Sequence, residues 1–438
     1  MEAQVQKETS AQKQLFFKLG FIVLFILLLL IPVALIQDLI GERENLQRNV
    51  EQEIAASWGK EQTIQGPVLC IPYEKTYVFE NKNLVERHLL YLAPEELKIN
   101  SGIETEIRTK GIFNTVVFEG KNQMQGTFDI TLLPKDAALK YLFNEAVLLT
   151  GLTDPTAVTQ KINIRWNDTE QQAIPGTQNS EFIKSGFHNP APITAGQSSC
   201  TFDIQLSLRG TSAMNYLPSG RNTTITAQSP WPSPSFTGRN LPAKRNITAQ
   251  GFEANWTANE YNRPFPGFWL NDEYRTSSEQ GVFGVKLIQT ADFYQKNMRS
   301  AKYAFLVIAL SFMTFFFFEM MLKIKIHPIQ YILIGLSLAI FYALLLSLTE
   351  HIGFNSAYQI SFGAVVALIA TYAYAIFKTW KPILLLSFLF SLLYGYIFIL
   401  LQLEDYALLA GSIGLFLILA SVMLLSRKIN WYQLSYEL

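Results

Sequence analysis

Few residues of this chain have types and spacing that chemistry could use. It has four histidines, His88, His188, His327 and His351, and two cysteines, Cys70 and Cys200. A zinc site would have to draw three or four ligands from that small pool. No HExxH, CxxC, P-loop, GxGxxG or GxSxG motif is present. The informative polar residues sit in or beside long apolar runs. Glu319 lies inside one such run, His327-Pro328 with Gln330 and Tyr331 opens the next, and Glu350-His351 closes it.

An ionisable side chain at membrane depth is expensive, and so is a functional candidate. Glu319 has two readings. It is a carboxylate near the interface paired with Lys323 at i+4, or it is a proton or cation ligand. Its position three residues from the end of its run favours the first. Glu350-His351 offers an acid–base pair, but adjacency in sequence alone is weak support for catalysis. His327 and His351 bracket an apolar helix, which puts them roughly 30 Å apart and excludes a metal shared along that hairpin. The sequence therefore predicts no catalytic residue, no cofactor and no metal site, so the chain reads as a protein without enzymatic activity. Glu319, His327, Gln330, Tyr331, Glu350 and His351 remain as polar candidates whose role the sequence does not assign.

The elements that must position them are membrane helices. Of 438 residues, 49% are hydrophobic and 16% charged, against roughly 25% charged in soluble domains. The formal net charge is zero, which excludes the basic footprint of a nucleic-acid binder. A bilayer core roughly 30 Å thick needs about 20 apolar helical residues, and six windows meet or approach that. The first, 19–37, follows a cytoplasmic segment 1–18. It reads as an uncleaved signal anchor, because its run exceeds a signal peptide's and no small-x-small cleavage site follows. The other five are 303–322, 329–349, 357–377, 382–401 and 406–426, ahead of a tail at 427–438.

Lys and Arg in short loops set the orientation. With the N-terminus inside, Lys323, Lys325, Lys378, Lys381, Arg427 and Lys428 are cytoplasmic, and the two short outer loops, 350–356 and 402–405, hold three acids and no Lys or Arg. Lys296, Arg299 and Lys302 depart from the pattern just outside the second span. Both termini are then cytoplasmic, and 38–302 lies on the outer side of the membrane.

That outer region starts with an amphipathic helical extension at 38–58, where Leu39, Leu46, Val50 and Ile54 share a face. Gly59 and Gly66-Pro67 are expected to end it. Short β-type runs separated by Gly, Asn, Pro and Asp then fill 59–302, with Pro134–Phe143 the best interior helix candidate. The fold class is a membrane protein of α+β type. It has a signal-anchor helix, a large and mostly antiparallel β extracytoplasmic domain, and a C-terminal five-helix transmembrane bundle. Cys70 and Cys200 both fall in the oxidising compartment; a disulfide and two buried thiols are equally compatible with their surroundings. In the bundle, Ala407/Gly411, Ala410/Gly414 and Gly363/Ala367 are small-residue pairs that let helices approach.

Three stretches resemble the CreD family of bacterial inner-membrane proteins, described as cell-envelope integrity or colicin-tolerance proteins. The first is Gly66-Pro67-Val68-Leu69 through Ile71-Pro72-Tyr73. The second is Phe236-Thr237-Gly238, Leu241-Pro242, Gly251-Phe252, Trp256 and Asn262-Arg263. The third and most specific runs from Phe283-Gly284-Val285 through Tyr294-Gln295, Arg299, Phe318-Glu319 and Ile326-His327-Pro328 with Gln330-Tyr331 to Glu350-His351 and Phe354. The resemblance implies a link to envelope stress and to β-lactam and colicin responses. It implies no enzymatic activity and no cofactor.

The expected function is non-enzymatic maintenance of the envelope under stress. The bilayer and a periplasmic protein or cell-wall component are the expected partners. The alternative is a transporter or lipid-handling protein with a periplasmic receiving domain.

Overall fold

A strand hides alternate residues, whereas a helix in lipid hides only the stripe that meets its neighbours. These two patterns divide the computed structural model into two compact units, residues 48–290 and residues 1–47 with 291–438. The structure describes residues 2–79, 82–136, 138–178, 180, 182–194, 196–271, 281–288, 293–322, 324–403 and 406–427.

In the first unit the described residues form one sheet of ten strands and one of eight. Pairing is antiparallel except where Gln62–Phe79 meets Ala213–Leu217 and Glu96–Lys110 meets Asn222–Ser229. Strand Ser199–Thr211 shows why the sheets pack. Cys200, Phe202, Ile204, Leu206 and Leu208 alternate with accessible polar residues and enter the core. Ile64, Leu69, Ile71, Leu90 and Tyr216 meet them from the ten-stranded sheet.

Strand Gln62–Phe79 is buried on both faces. Leu69 and Ile71 enter the core shared by the sheets, while Val68 and Cys70 enter a second cluster with Tyr91, Phe182, Phe265 and Trp269. A strand covered on both sides reads as a continuous apolar run. It also separates the cysteines. Cys70 and Cys200 lie in different clusters, both are buried, and no disulfide joins them. Burial pushes the Cys200 thiol above its ordinary pKa.

Two local expectations change. Gly66-Pro67 does not terminate a helix but sits inside Gln62–Phe79, beside a register shift between Gln65 and Val68. The candidate helix Pro134–Phe143 is replaced by strand Leu139–Tyr141 and a 3-10 turn Phe143–Glu145. Asp136 turns the chain by accepting from the Ala138 N–H, and the Tyr141 hydroxyl donates to Pro134 O at 2.8 Å. Pairing of Leu139–Tyr141 with Gln62–Phe79 then overrides helix propensity.

Asp154 ties the start of this sheet to the 3-10 turn Pro155–Ala157. Burial opposes its ionisation, but hydrogen bonds from Thr156 and the Lys60 N–H outweigh that and hold its carboxyl below the ordinary 3.8. A lowered carboxylate stabilises the fold above its unfolded pKa and loses that contribution as pH falls through the folded value. Asp154→Ala is therefore expected to cost about 1 kcal/mol at pH 7. The difference from wild type should vanish in strong acid, as read by urea unfolding at stepped pH.

The second unit is helical. Helix α1 (Glu2–Trp58), whose residues from Arg48 onward belong to the first unit, is followed by α2 (Phe293–Lys302), α3 (Ala304–Leu322), α4 (Pro328–Ile352), α5 (Phe354–Phe377), α6 (Trp380–Gln402) and α7 (Ala407–Ser426). Among the described residues five helices are long and apolar enough to cross a membrane: α1 and α3 to α6. The corresponding apolar stretch of α7 is Leu408–Leu424. Ile22, Leu29, Val33 and Ile40 form the buried stripe of α1, at spacings of one or two helical turns. Gly335 on α4 makes the close approach possible. A Cβ there would stand 2.1 Å from Leu29 Cδ1 and 2.8 Å from Phe312 Cζ.

In α6 and α7 the small residues have a use. The Tyr396 hydroxyl donates to Ala410 O at 2.8 Å, and a Cβ on Gly414 would lie 1.9 Å from that hydroxyl oxygen. Gly363 and Ala367 are exposed on α5 instead.

Candidate functional site

A carboxylate removed from water needs donors for its oxygens, and the structure provides them at both candidate glutamates. Glu319, near the end of α3, is 1% exposed. Its Oε1 pairs with Lys18 Nζ of α1 and accepts the Ile326 N–H at 2.8 Å. Its Oε2 accepts the Tyr331 hydroxyl at 3.0 Å. The turn between α3 and α4 folds back to make this site, and the Ile324 N–H bonds to Glu319 O. Lys323, the expected partner, lies outside the described residues.

His327, Gln330 and Pro328 build the helix start that presents Tyr331. His327 is the N-cap of α4 and accepts the Ile329 N–H on Nδ1 at 3.4 Å. The Gln330 side chain accepts the His327 N–H at 2.9 Å, and Pro328 takes the first turn. This is a capping box with imidazole in the role usually filled by a hydroxyl. Tyr331, one residue on, is buried with its ring edge-on to Phe312.

At the other end of α4, Glu350 accepts the Tyr294 hydroxyl of α2 on Oε1 at 2.9 Å, and Arg43 Nε of α1 lies 3.7 Å from the same oxygen. Its neighbour His351 is exposed. Successive helical residues point about 100° apart, so Glu350 turns into the protein and His351 away from it. His327 and His351 stand at opposite ends of α4, about 36 Å apart along its axis. Among the described residues no three His, Cys, Asp or Glu side chains come together as metal ligands.

Helix α2 was not legible in the sequence, and it explains the basic residues that break the charge pattern. Tyr294, Asn297, Ser300 and Ala301 form its buried face. Arg299 donates through Nη2 to Leu400 O at 3.2 Å and Leu403 O at 3.0 Å. Lys296 reaches Gln402 Oε1 at 3.3 Å. A cation at a helix C-terminus satisfies carbonyls without partners and opposes the helix dipole. Arg299→Ala is expected to lower stability by about 1–2 kcal/mol, with partial recovery in Arg299→Lys. Thermal unfolding of the detergent-solubilised protein checks it.

The bundle thus holds α1 at two charged positions, Lys18 with Glu319 and Arg43 with Glu350. These are separated by 25 residues of α1, about 37 Å. Neither basic partner was among the sequence candidates, because the contacts span about 300 residues. The β unit carries open grooves of its own. The larger has a volume of about 650 Å³ and is lined by Glu96, Gln125, Thr127, Arg165, Thr201 and Asp203 among others.

The profile of the family described as "Inner membrane protein CreD" matches residues 14–432. A protein of Escherichia coli (strain K12) with that same description is 34% identical over 433 residues, covering 96% of this chain and 94% of that protein. The match spans the anchor helix, the β unit and the bundle, including every residue around Glu319 and Glu350, so the chain belongs to the CreD family of inner membrane proteins.

Proposed function

We propose that this chain is a non-enzymatic protein that maintains the cell envelope under envelope or cell-wall stress. Its termini lie in the cytoplasm, and its β unit lies in the periplasm, where it binds an envelope component. The observation that supports this reading most is how the carboxylates of the bundle are used. Glu319 and Glu350 each accept a tyrosine hydroxyl and face a basic residue of α1, which suits a role in holding the anchor helix. Two open polar grooves lie on the β unit. Wild type returned to a deletion strain is expected to restore exclusion of dye and detergent under cell-wall stress. A deletion strain with an unaltered barrier would remove the reading.

A second reading rests on the burial of Glu319. A carboxylate inside an apolar bundle is also what a transporter or lipid-handling protein uses. Proteoliposome flux assays separate the two, since that reading requires a flux that Glu319→Gln abolishes.

A further inference from the structure

The outer face of the eight-stranded sheet carries a pattern that becomes visible only once the strands are in register. Thr226, Asn100, Gln123, Gln205, Asn163 and Gln172 pair in succession across six neighbouring strands. Adjacent strands lie about 4.8 Å apart, so these side chains make one row across six of the sheet's eight strands, which Asn255 continues and Lys244 of the edge strand ends. All six are accessible, and none is charged. Every one is a hydroxyl or a carboxamide, able to donate and accept.

The next row over is Thr224, Lys98, Gln125, Asp203 and Arg165. Its charges are largely answered within the face. Asp203 accepts from Gln125 at 2.9 Å and from Gln123 at 3.1 Å, and Arg165 pairs with Glu170 at 2.9 Å. The groove of about 650 Å³ runs over this second row. A second groove of about 420 Å³ opens on the same face at Gly102, Gln228 and Glu253.

We infer that this face binds a neutral glycan chain, one bearing hydroxyl and acetamido groups. The inference rests on the proposed role of the β unit as receiver of an envelope component, and it names the ligand class. The argument is one of complementarity. A phosphate or carboxylate polymer calls for clustered Arg and Lys, whereas the six central positions carry no charge and a single Lys244 ends the row. A protein partner calls for aromatic and apolar anchors at the centre of its interface, whereas both rows are polar throughout. A row that crosses six strands suits an extended chain that makes many modest hydrogen bonds rather than a compact ligand held by a few.

The test uses the full-length protein in detergent. The probes are hexamers of β-1,4-linked N-acetylglucosamine and of β-1,4-linked glucose, with an oligogalacturonate of equal length as the anionic comparison. Binding is read by calorimetry for wild type and for Gln123→Ala/Gln205→Ala. A neutral hexamer is expected to bind, with affinity at least about tenfold weaker in the double variant. Asn163→Ala, at an exposed position of the same row, should weaken it in the same direction and serves if the double variant fails to fold. Binding of the anionic probe alone, or of none of the three, overturns the inference.

Barrier restoration by the same variants distinguishes its failure from failure of the receiver role. A variant that fails the barrier assay, in a protein that binds neither neutral hexamer, removes the ligand class and leaves the receiver role. Lost glycan binding with an intact barrier leaves the ligand class and removes the receiver role.

Discussion

Glu319→Leu is expected to destabilise the full-length protein by about 3–5 kcal/mol, the usual result of removing one partner from a buried ion pair. The substitution strands three donors at once: Lys18 Nζ, the Ile326 N–H and the Tyr331 hydroxyl. Two of those donors belong to buried residues, Ile326 and Tyr331, which water does not reach. Glu319→Gln keeps one acceptor oxygen, for Tyr331 or for Ile326, and replaces the other with an NH2 donor as it removes the charge, so its effect should be about half as large. Lys18→Met should cost less than Glu319→Leu, because the Ile326 N–H and the Tyr331 hydroxyl still hold the Glu319 carboxylate, although that carboxylate, 1% exposed, loses its cation. Combining Lys18→Met with Glu319→Leu should recover part of the loss, since the two act on one interaction. Thermal unfolding in detergent orders the four variants. Equal effects for Lys18→Met and Glu319→Leu would count against the buried carboxylate as the centre of the site.

Trp58→Ala is the second large effect, at about 3 kcal/mol or more. Trp58 ends α1 inside the β unit, and its ring lies between two guanidinium groups, Arg108 at 3.8 Å and Arg209 at 4.1 Å from the centroid. Its Nε1–H donates to Phe118 O at 3.3 Å. Cation–π contact on both faces and a hydrogen bond at the edge fix the helix end in one position. Trp58→Phe retains a ring for both guanidiniums and loses the hydrogen bond, so it should cost about 1 kcal/mol. Urea unfolding followed by far-ultraviolet circular dichroism separates these values. A Trp58→Ala protein as stable as wild type would contradict the clamp.

Much of the fold is legible in the sequence because two signals there are strong. Long charge-free runs mark the anchor helix and the C-terminal bundle, and short alternating runs mark the β domain between them. The signals fail where a tertiary contact decides. Helix α2 escapes because it is only ten residues long and its buried face, Tyr294, Asn297, Ser300 and Ala301, is mostly polar. Leu139–Tyr141 reads as helix from composition and becomes strand because the edge of Gln62–Phe79 is there to pair with.

The candidate residues follow the same division. Glu319, Tyr331 and Glu350 stand out by their positions at the membrane runs. Lys18, Arg43 and Tyr294, which hold two of them, look like ordinary flanking residues until the helices are packed. The amide row is less legible still. Each Asn or Gln is unremarkable on its own strand, and only the register of six strands lines them up.

The measurement that bears most directly on the central claim is dye and detergent exclusion in a deletion strain, with the amount of each protein in the membrane checked. The strain would carry wild type, Glu319→Gln, Glu350→Gln or Gln123→Ala/Gln205→Ala. If the bundle's carboxylates hold the anchor helix and the β unit meets the envelope, both carboxamide variants restore the barrier, and the sheet-face variant does not. A Glu319→Gln protein that is present at wild-type level and still fails, beside a sheet-face variant that succeeds, would contradict the account and place the function in the bundle.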